Sequence, residues 1–328
     1  MTLTLRHAAL AAVVLIAAAC DRGDAPRSAN PATDALLARL PADAEIVASL
    51  ALGELAVSPA WRRAVGAITV EAPGVGATVA TACGLDPWTI LDAAAVVVPA
   101  SPDGLTVAAR AAPGRDRLHA CLATVAAAGG ATVAVEAAGA LTAYVQGEDV
   151  EHAAWLDDGV VVMQPERSDD AAALEAAVAA RPAPPAIADL IERVDPAASL
   201  WLVGVPGEGG VIAELLAPIP VPEQPRALHA SVRRRDGLHA ALGIVFASPG
   251  AAEAALPAFR ALLADPPPFL ARWAPAIRVE VRGDEVRATL ALDAAERDAL
   301  EAQLVAALPP LPEPGSGPPP GPPPASTP

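Results

Sequence analysis

Lysine is absent from all 328 residues, and every one of the 22 basic side chains is arginine. That absence excludes Schiff-base lysine chemistry, Ser-x-x-Lys hydrolases, the phosphate-binding P-loop and the kinase lysine. Basic charge is scarce as well: the net charge is -16, and phosphate binding depends on cationic neutralisation, so nucleic acid is not an expected partner. Aromatic residues make up 3% of the chain, few for the stacking surface of a carbohydrate enzyme. Gly-x-Ser-x-Gly, His-Glu-x-x-His and Cys-x-x-Cys are missing. The glycines at Gly74 and Gly207 have neither the full dinucleotide spacing nor a phosphate-binding lysine and are expected in flexible loops. No cofactor and no metal is expected. An apolar run of 12 residues, Ala8 to Ala19, is shorter than the roughly 20 a helix needs to cross a bilayer core.

What is present begins with that run. Arg6 and His7 precede it, and small residues end it at Cys20, the layout of an export signal. Ala17, Ala18, Ala19 and Cys20 resemble the bacterial lipobox, in which the cysteine is acylated and becomes the new N-terminus; Ala17 departs from the larger aliphatic usual there. The resemblance implies a lipid-anchored protein of the bacterial cell envelope, with residues 1–19 removed, Cys20 as the lipidation site and the membrane as first partner. The alternative is an ordinary secretory signal with Cys20 incidental. Asp21 resembles a residue that holds some lipoproteins at the inner membrane, and both membranes stay open. The rest of the chain is similar to Ala- and Pro-rich envelope lipoproteins without an assigned activity.

Roughly 300 residues then remain, enough for two units of ordinary size. LLARLPADAEIVASL from Leu36 aligns with LIERVDPAASLWLVG from Leu190 once Asp195 is treated as an insertion. Each copy reads as a short helix stopped by Pro41 or Pro196 and followed by a strand. Further features recur in order: Asp-Gly turns at Asp103 and Asp236, amphipathic helices opened by Pro113-Gly114 and Pro249-Gly250, then glycine-centred hairpins. The expected fold is α+β, two duplicated units of mainly antiparallel sheet with helices packed on one face, at 35–181 and 186–308. Residues 20–34 read as a flexible tether and 309–328 as a disordered proline-rich tail.

Parity predicts two registers. A two-residue turn at Gly283 and Asp284 pairs Val281 with Val286 and Val279 with Ala288, placing the aliphatics on one face under the helix from Pro249 to Ala264 and leaving the other face wet. It sets Arg282 opposite Glu285 and Glu280 opposite Arg287. A three-residue loop at Arg235, Asp236 and Gly237 pairs Arg233 with His239, with His229 and His239 both facing outward.

The candidate sites follow from the remaining polar residues. His229 and His239 stand about 13 Å out of step, too far apart for one metal ion. His119 diverges by about 200° from Cys121 on its helix. His152 with Glu151, Asp157 and Asp158 is the densest polar group, and His152, Asp157 and Asp158 are the catalytic alternative; Asp157, Asp158 and Gly159 read first as a hairpin turn. Arg233, Arg234 and Arg235 are a weak anion-binding candidate against the reading of a solvated strand end. Trp61, Val65 and Ile68 make a helical stripe, while Trp88, Trp155, Trp201 and Trp273 are scattered. An oxidising envelope favours a bridge between Cys83 and Cys121, worth about 3 to 4 kcal/mol on the chain-entropy model; the alternative is two buried thiols. Two functions compete. One is a non-catalytic binding or scaffolding lipoprotein whose partner is an envelope protein, glycan or lipid, and the other is an envelope hydrolase built on dispersed carboxylates and a histidine.

Overall fold

The computed structural model describes residues 30–68, 75–86, 88–99, 104–156, 159–207, 210–217, 219–264, 266 and 270–307. The first half runs α1 (Pro31–Leu37), β1 (Ala44–Leu50), α2 (Leu52–Leu55), α3 (Pro59–Ile68), α4 (Val75–Cys83), β2 (Leu91–Pro99), β3 (Thr106–Ala111), α5 (Arg115–Ala128), β4 (Ala134–Ala138), β5 (Leu141–Gln146), β6 (Asp149–Trp155), β7 (Val160–Met163) and α6 (Ala171–Val178). The second runs α7 (Pro185–Ile191), β8 (Leu200–Gly204), α8 (Val211–Leu216), β9 (Ala227–Arg233), β10 (Leu238–Val245), α9 (Pro249–Ala264), β11 (Arg278–Arg282), β12 (Glu285–Leu292) and α10 (Ala294–Ala307). The fold is α+β, and its strands form one 12-stranded sheet in the order β11-β12-β10-β9-β8-β1-β2-β3-β7-β6-β5-β4.

The two halves meet in the middle of this sheet, where β1 runs antiparallel to β8. The aligned repeats place Val47 level with Leu202 and Ala48 level with Val203. In the sheet Val47 pairs with Val203 and Ala48 with Leu202, the crossed register an approximate two-fold axis requires. The first half carries an additional hairpin, β6–β7, between β3 and β5.

Alternation along the strands builds two layers of core. Val47, Ala95, Val97, Ala108, Val162 and Val203 point to one face, beneath Leu36 of α1, Leu174 of α6 and Ile187 and Leu190 of α7. Leu228, Ile244 and Val286 point to the other, beneath Ile212 of α8 and Ala252, Ala255 and Phe259 of α9. On that second face Leu300 of α10 and Trp273 cover Val232, Ala240 and Leu290. Leu52 of α2 covers Ala94, Ala109 and Val161 there. Small side chains under α1 allow the helix to lie close to the strands, and tight apolar packing supplies most of the favourable free energy.

Both hairpins of the second half take the registers expected from parity: Val281 opposes Val286, Val279 opposes Ala288, and Arg233 opposes His239. Two expectations change. The tether does not extend to residue 34, because α1 begins at Pro31 and Asn30 is its N-cap, accepting from the amides of Ala32 and Thr33 at 3.1 and 3.2 Å. Asn30 also donates to Ser49 Oγ at 3.0 Å, which fastens the start of α1 to β1. The face opposite α9 is not uniformly wet, since His229 and Glu285 are buried on it at 1% and 4% exposure. The expectations for Cys20, the tail, Gly74, Asp103, Asp157 and Asp158 lie outside the described residues, as do those for the Val65 and Ile68 side chains. Among the described residues no helix is long and apolar enough to cross a membrane.

Candidate functional site

The arginine run lies where the β9–β10 turn meets α2 and α10. The turn reverses through Asp236 at φ 57° and Gly237 at φ 130°, backbone that favours glycine and tolerates aspartate. Each guanidinium faces a carboxylate of the same chain. Arg233 reaches Asp195 at 3.3 Å, Arg234 donates through Nε to Glu301 Oε1 at 3.0 Å, and Arg235 donates through Nε to Glu54 Oε1 at 3.1 Å. Arg234 Nη1 also donates to the Glu54 carbonyl at 3.0 Å. Hydroxyls complete the carboxylates: Ser199 Oγ donates to Glu54 at 2.7 Å and Ser58 Oγ to Glu301 at 3.0 Å. Burial pushes the Glu54 carboxyl up, but the bonds from Ser199 and Arg235 outweigh it and hold the group below its ordinary value. The candidate anion binders Arg233, Arg234 and Arg235 are thus each paired with a carboxylate of the chain itself, and they tie α2 of the first half to the turn and α10 of the second.

His229 is corrected from outward-facing to buried. Its Nε2 lies 2.9 Å from Glu285 Oε2. Arg193, just past the end of α7, pairs with Asp284 at 2.9 Å and reaches Glu285 at 3.5 Å, and Arg287 closes the far side of Glu285 at 3.5 Å. Desolvation pushes the Glu285 carboxyl up, yet the hydrogen bond and charge of His229, with Arg287 and Arg193, leave it below the ordinary glutamate value. Room for the imidazole comes from Gly243 on the paired strand: a Cβ there would stand 2.1 Å from His229 Nε2. A glycine inside a strand marks such a close approach, and this was the one signal in the sequence that pointed to His229.

His119 faces away from Cys121, as helical geometry requires. Its Nε2 lies 3.0 Å from the Tyr144 hydroxyl, which also accepts from Trp155 Nε1 at 2.8 Å. Burial lowers the His119 pKa, with Arg115 adding to the effect, and burial raises that of Tyr144. The imidazole and the phenol share one hydrogen bond whose direction follows the imidazole tautomer, and the three residues are too far apart in sequence to be joined by any local pattern. Beside it an open cleft of about 800 Å³ is lined by Trp155, Arg115 and the Asp92–Arg110 ion pair. His152 lies half-buried in β6 opposite Ala143, and His239 is half-buried at the start of β10. Cys83 and Cys121 are joined in a disulfide that links the end of α4 to α5.

Gly207 and Gly210, expected in a flexible loop, both stand against Glu45. The buried Glu45 carboxylate accepts from the backbone amides of Ile212 at 3.0 Å and Gly207 at 3.4 Å. A Cβ at Gly210 would fall 2.2 Å from Glu45 Oε1. An internal carboxylate thus caps the start of α8. Among the described residues no group of three or more His, Cys, Asp or Glu side chains is placed to hold a metal ion.

No family model matches the chain, and no curated protein matches it. Solved structures with a similar run of chain are crystal forms III and I of TP0453. Form III has a TM-score of 0.45 at 12% identity, covering 82% of this chain and 97% of that one. Form I has a TM-score of 0.42 at 12% identity, covering 84% and 98%.

Proposed function

We propose that this chain is a bacterial envelope lipoprotein, anchored to a membrane through acylated Cys20, whose folded body binds an envelope protein or glycan without transforming it. The observation that carries the reading is the way its reactive-looking side chains are used. Arg233, Arg234 and Arg235 are matched by Asp195, Glu301 and Glu54, His229 by Glu285, and the backbone amides of Gly207 and Ile212 by Glu45. Groups satisfied in this way hold elements together, and acting on a substrate would break the contacts that place them.

The hydrolase reading has its best residue at His119 rather than at His152. The lowered pKa keeps His119 a free base at neutral pH, and it stands beside the cleft that Arg115 and Trp155 line.

Anchoring is tested by fractionation of cells expressing the native chain and Cys20→Ser. The native chain is expected in the membrane fraction with an N-terminus heavier by its acyl groups, and the variant in the soluble fraction. Unmodified intact mass, or unchanged partitioning of Cys20→Ser, contradicts the anchor.

A further inference from the structure

A second cleft opens on the face of α1 and α6, between the end of α1, the length of α6 and the ends of β2 and β3. Its volume is about 450 Å³, within the range of small-molecule sites. In its wall stands Gln164, which directly follows β7 and is 8% exposed. The amide of Gln164 is oriented by its neighbours. Thr106 Oγ donates to the Gly104 carbonyl at 3.2 Å, so it can only accept from Gln164, and it does so from Nε2 at 3.2 Å. That fixes Oε1 as the remaining group, a buried acceptor with no donor. A buried carbonyl oxygen without a donor is costly, so something that brings an N–H or O–H to it is favoured.

The rest of the cleft indicates what that something carries. Arg39 and Arg181 line it, and both are held in place by helix-end carbonyls: Arg39 Nε donates to Val178 at 2.9 Å and Nη1 to Ala35 at 2.7 Å, while Arg181 donates through Nη2 to Ala176. Each is oriented with guanidinium donors left over. Asp170 does not neutralise them, because Arg167 and the amide of Ala173 at the start of α6 occupy it. Arg39, Arg167 and Arg181 stand in the lining with Asp43 and Asp170, so the wall keeps a small cationic excess in a chain of net charge -16, and Ala173 and Ala177 give it a small apolar flank.

We propose that this cleft binds a terminal carboxylate adjoining an amide N–H, the group shared by a peptide C-terminus and an N-acylated amino acid. On binding, Gln164 turns about its terminal torsions, Nε2 leaves Thr106 Oγ and Oε1 comes into the cleft to accept from the ligand N–H, while the carboxylate meets Arg39 and Arg181 and a small side chain lies along Ala173 and Ala177. Guanidinium groups suit a carboxylate because their fork offers paired donors. The inference stands on the cleft alone and holds whether or not Cys20 is acylated.

N-acetyl-alanine titrated into the isotopically labelled full chain tests it by NMR and calorimetry. Saturable millimolar binding is expected, with a shift of the Gln164 side-chain amide. N-acetyl-alanine methyl ester, which lacks the carboxylate, is expected to bind at least ten-fold more weakly. Gln164→Met removes the orphan acceptor and should keep the melting temperature while weakening N-acetyl-alanine at least ten-fold; Arg181→Met, at the exposed rim, should do the same without touching the core. Acetyl-Ala-Ala-Ala binding more tightly than N-acetyl-alanine identifies a peptide end as the source, and equal affinity identifies the small acylated amino acid. Binding that is absent at tens of millimolar, indifferent to the ester or unchanged in Arg181→Met overturns the proposal. So does a crystal structure in which a water donating to Oε1 stays in place in the presence of N-acetyl-alanine.

Discussion

Gly243→Ala is expected to lower the free energy of unfolding by about 3 kcal/mol, a large loss for one methyl group in a strand. The new Cβ would meet His229 Nε2, Cε1 and Cδ2 at 2.1, 2.5 and 2.8 Å, and an imidazole 1% exposed has nowhere to swing. The ring must leave Glu285, which strips a buried carboxylate of its closest partner. Urea titration of the native protein, Gly243→Ala, His229→Ala and the double variant checks the cause: the double variant should be little worse than His229→Ala alone, a coupling that simple loss of strand propensity does not produce. Acid sensitivity carries the same signature. The Glu285 carboxyl is held below its ordinary value of 4.5, so its contribution to stability is complete above that pH and is lost as pH falls through the lower folded value. The native protein should therefore lose stability through that acid window, and Gly243→Ala should lose less there because part of the contribution is already gone. Additive variants, or a Gly243→Ala protein as stable as the native one, would show that His229 is not packed as described.

Glu301→Gln is expected to cost about 2 kcal/mol, because Arg234, with a side chain 12% exposed, loses the only carboxylate paired with it among the described residues. The carbonyl of Glu54 remains as a partner for Nη1, which keeps the loss below that of a fully orphaned charge. Replacing both residues, Arg234→Met with Glu301→Met, should recover most of that loss, since a buried ion pair and an apolar pair of similar size differ little in net stability. Unfolding should stay a single transition in every variant, as β1 and β8 still join the halves through the main chain. A Glu301→Gln protein of native stability would contradict the role given to the pair.

Local order was legible in the sequence wherever alternation or a turn residue acts over a few positions. The β11–β12 and β9–β10 registers follow from Gly283, Asp236 and the aliphatic parity around them. Parity tells which side chains share a face, but it cannot tell what another element lays on that face. Parity therefore leaves His229 facing outward, whereas in the fold Glu285 meets it from 56 positions away in sequence and the chain after α7 brings Arg193 to that same carboxylate. The Arg233 to Arg235 run was likewise visible as charge, whereas its partners Asp195, Glu54 and Glu301 are separated from it by 38, 181 and 67 positions. Asn30 before Pro31 is an N-cap followed by proline at the first helical position, but the small and polar residues around it give the same stretch the composition of a tether. Gln164 carried no signal at all, since its significance depends on Thr106 being already committed to Gly104.

Photo-crosslinking in the intact envelope, followed by mass spectrometry of the mature chain, separates a binding scaffold from an enzyme. A scaffold predicts one recurrent macromolecular adduct at near-stoichiometric yield, retained when His119, His152, His229 and His239 are all replaced by glutamine in variants that still fold. A chain that yields no such adduct, and whose cellular phenotype disappears with His119→Gln while the fold persists, would contradict the binding function and establish His119 as the centre of a reaction.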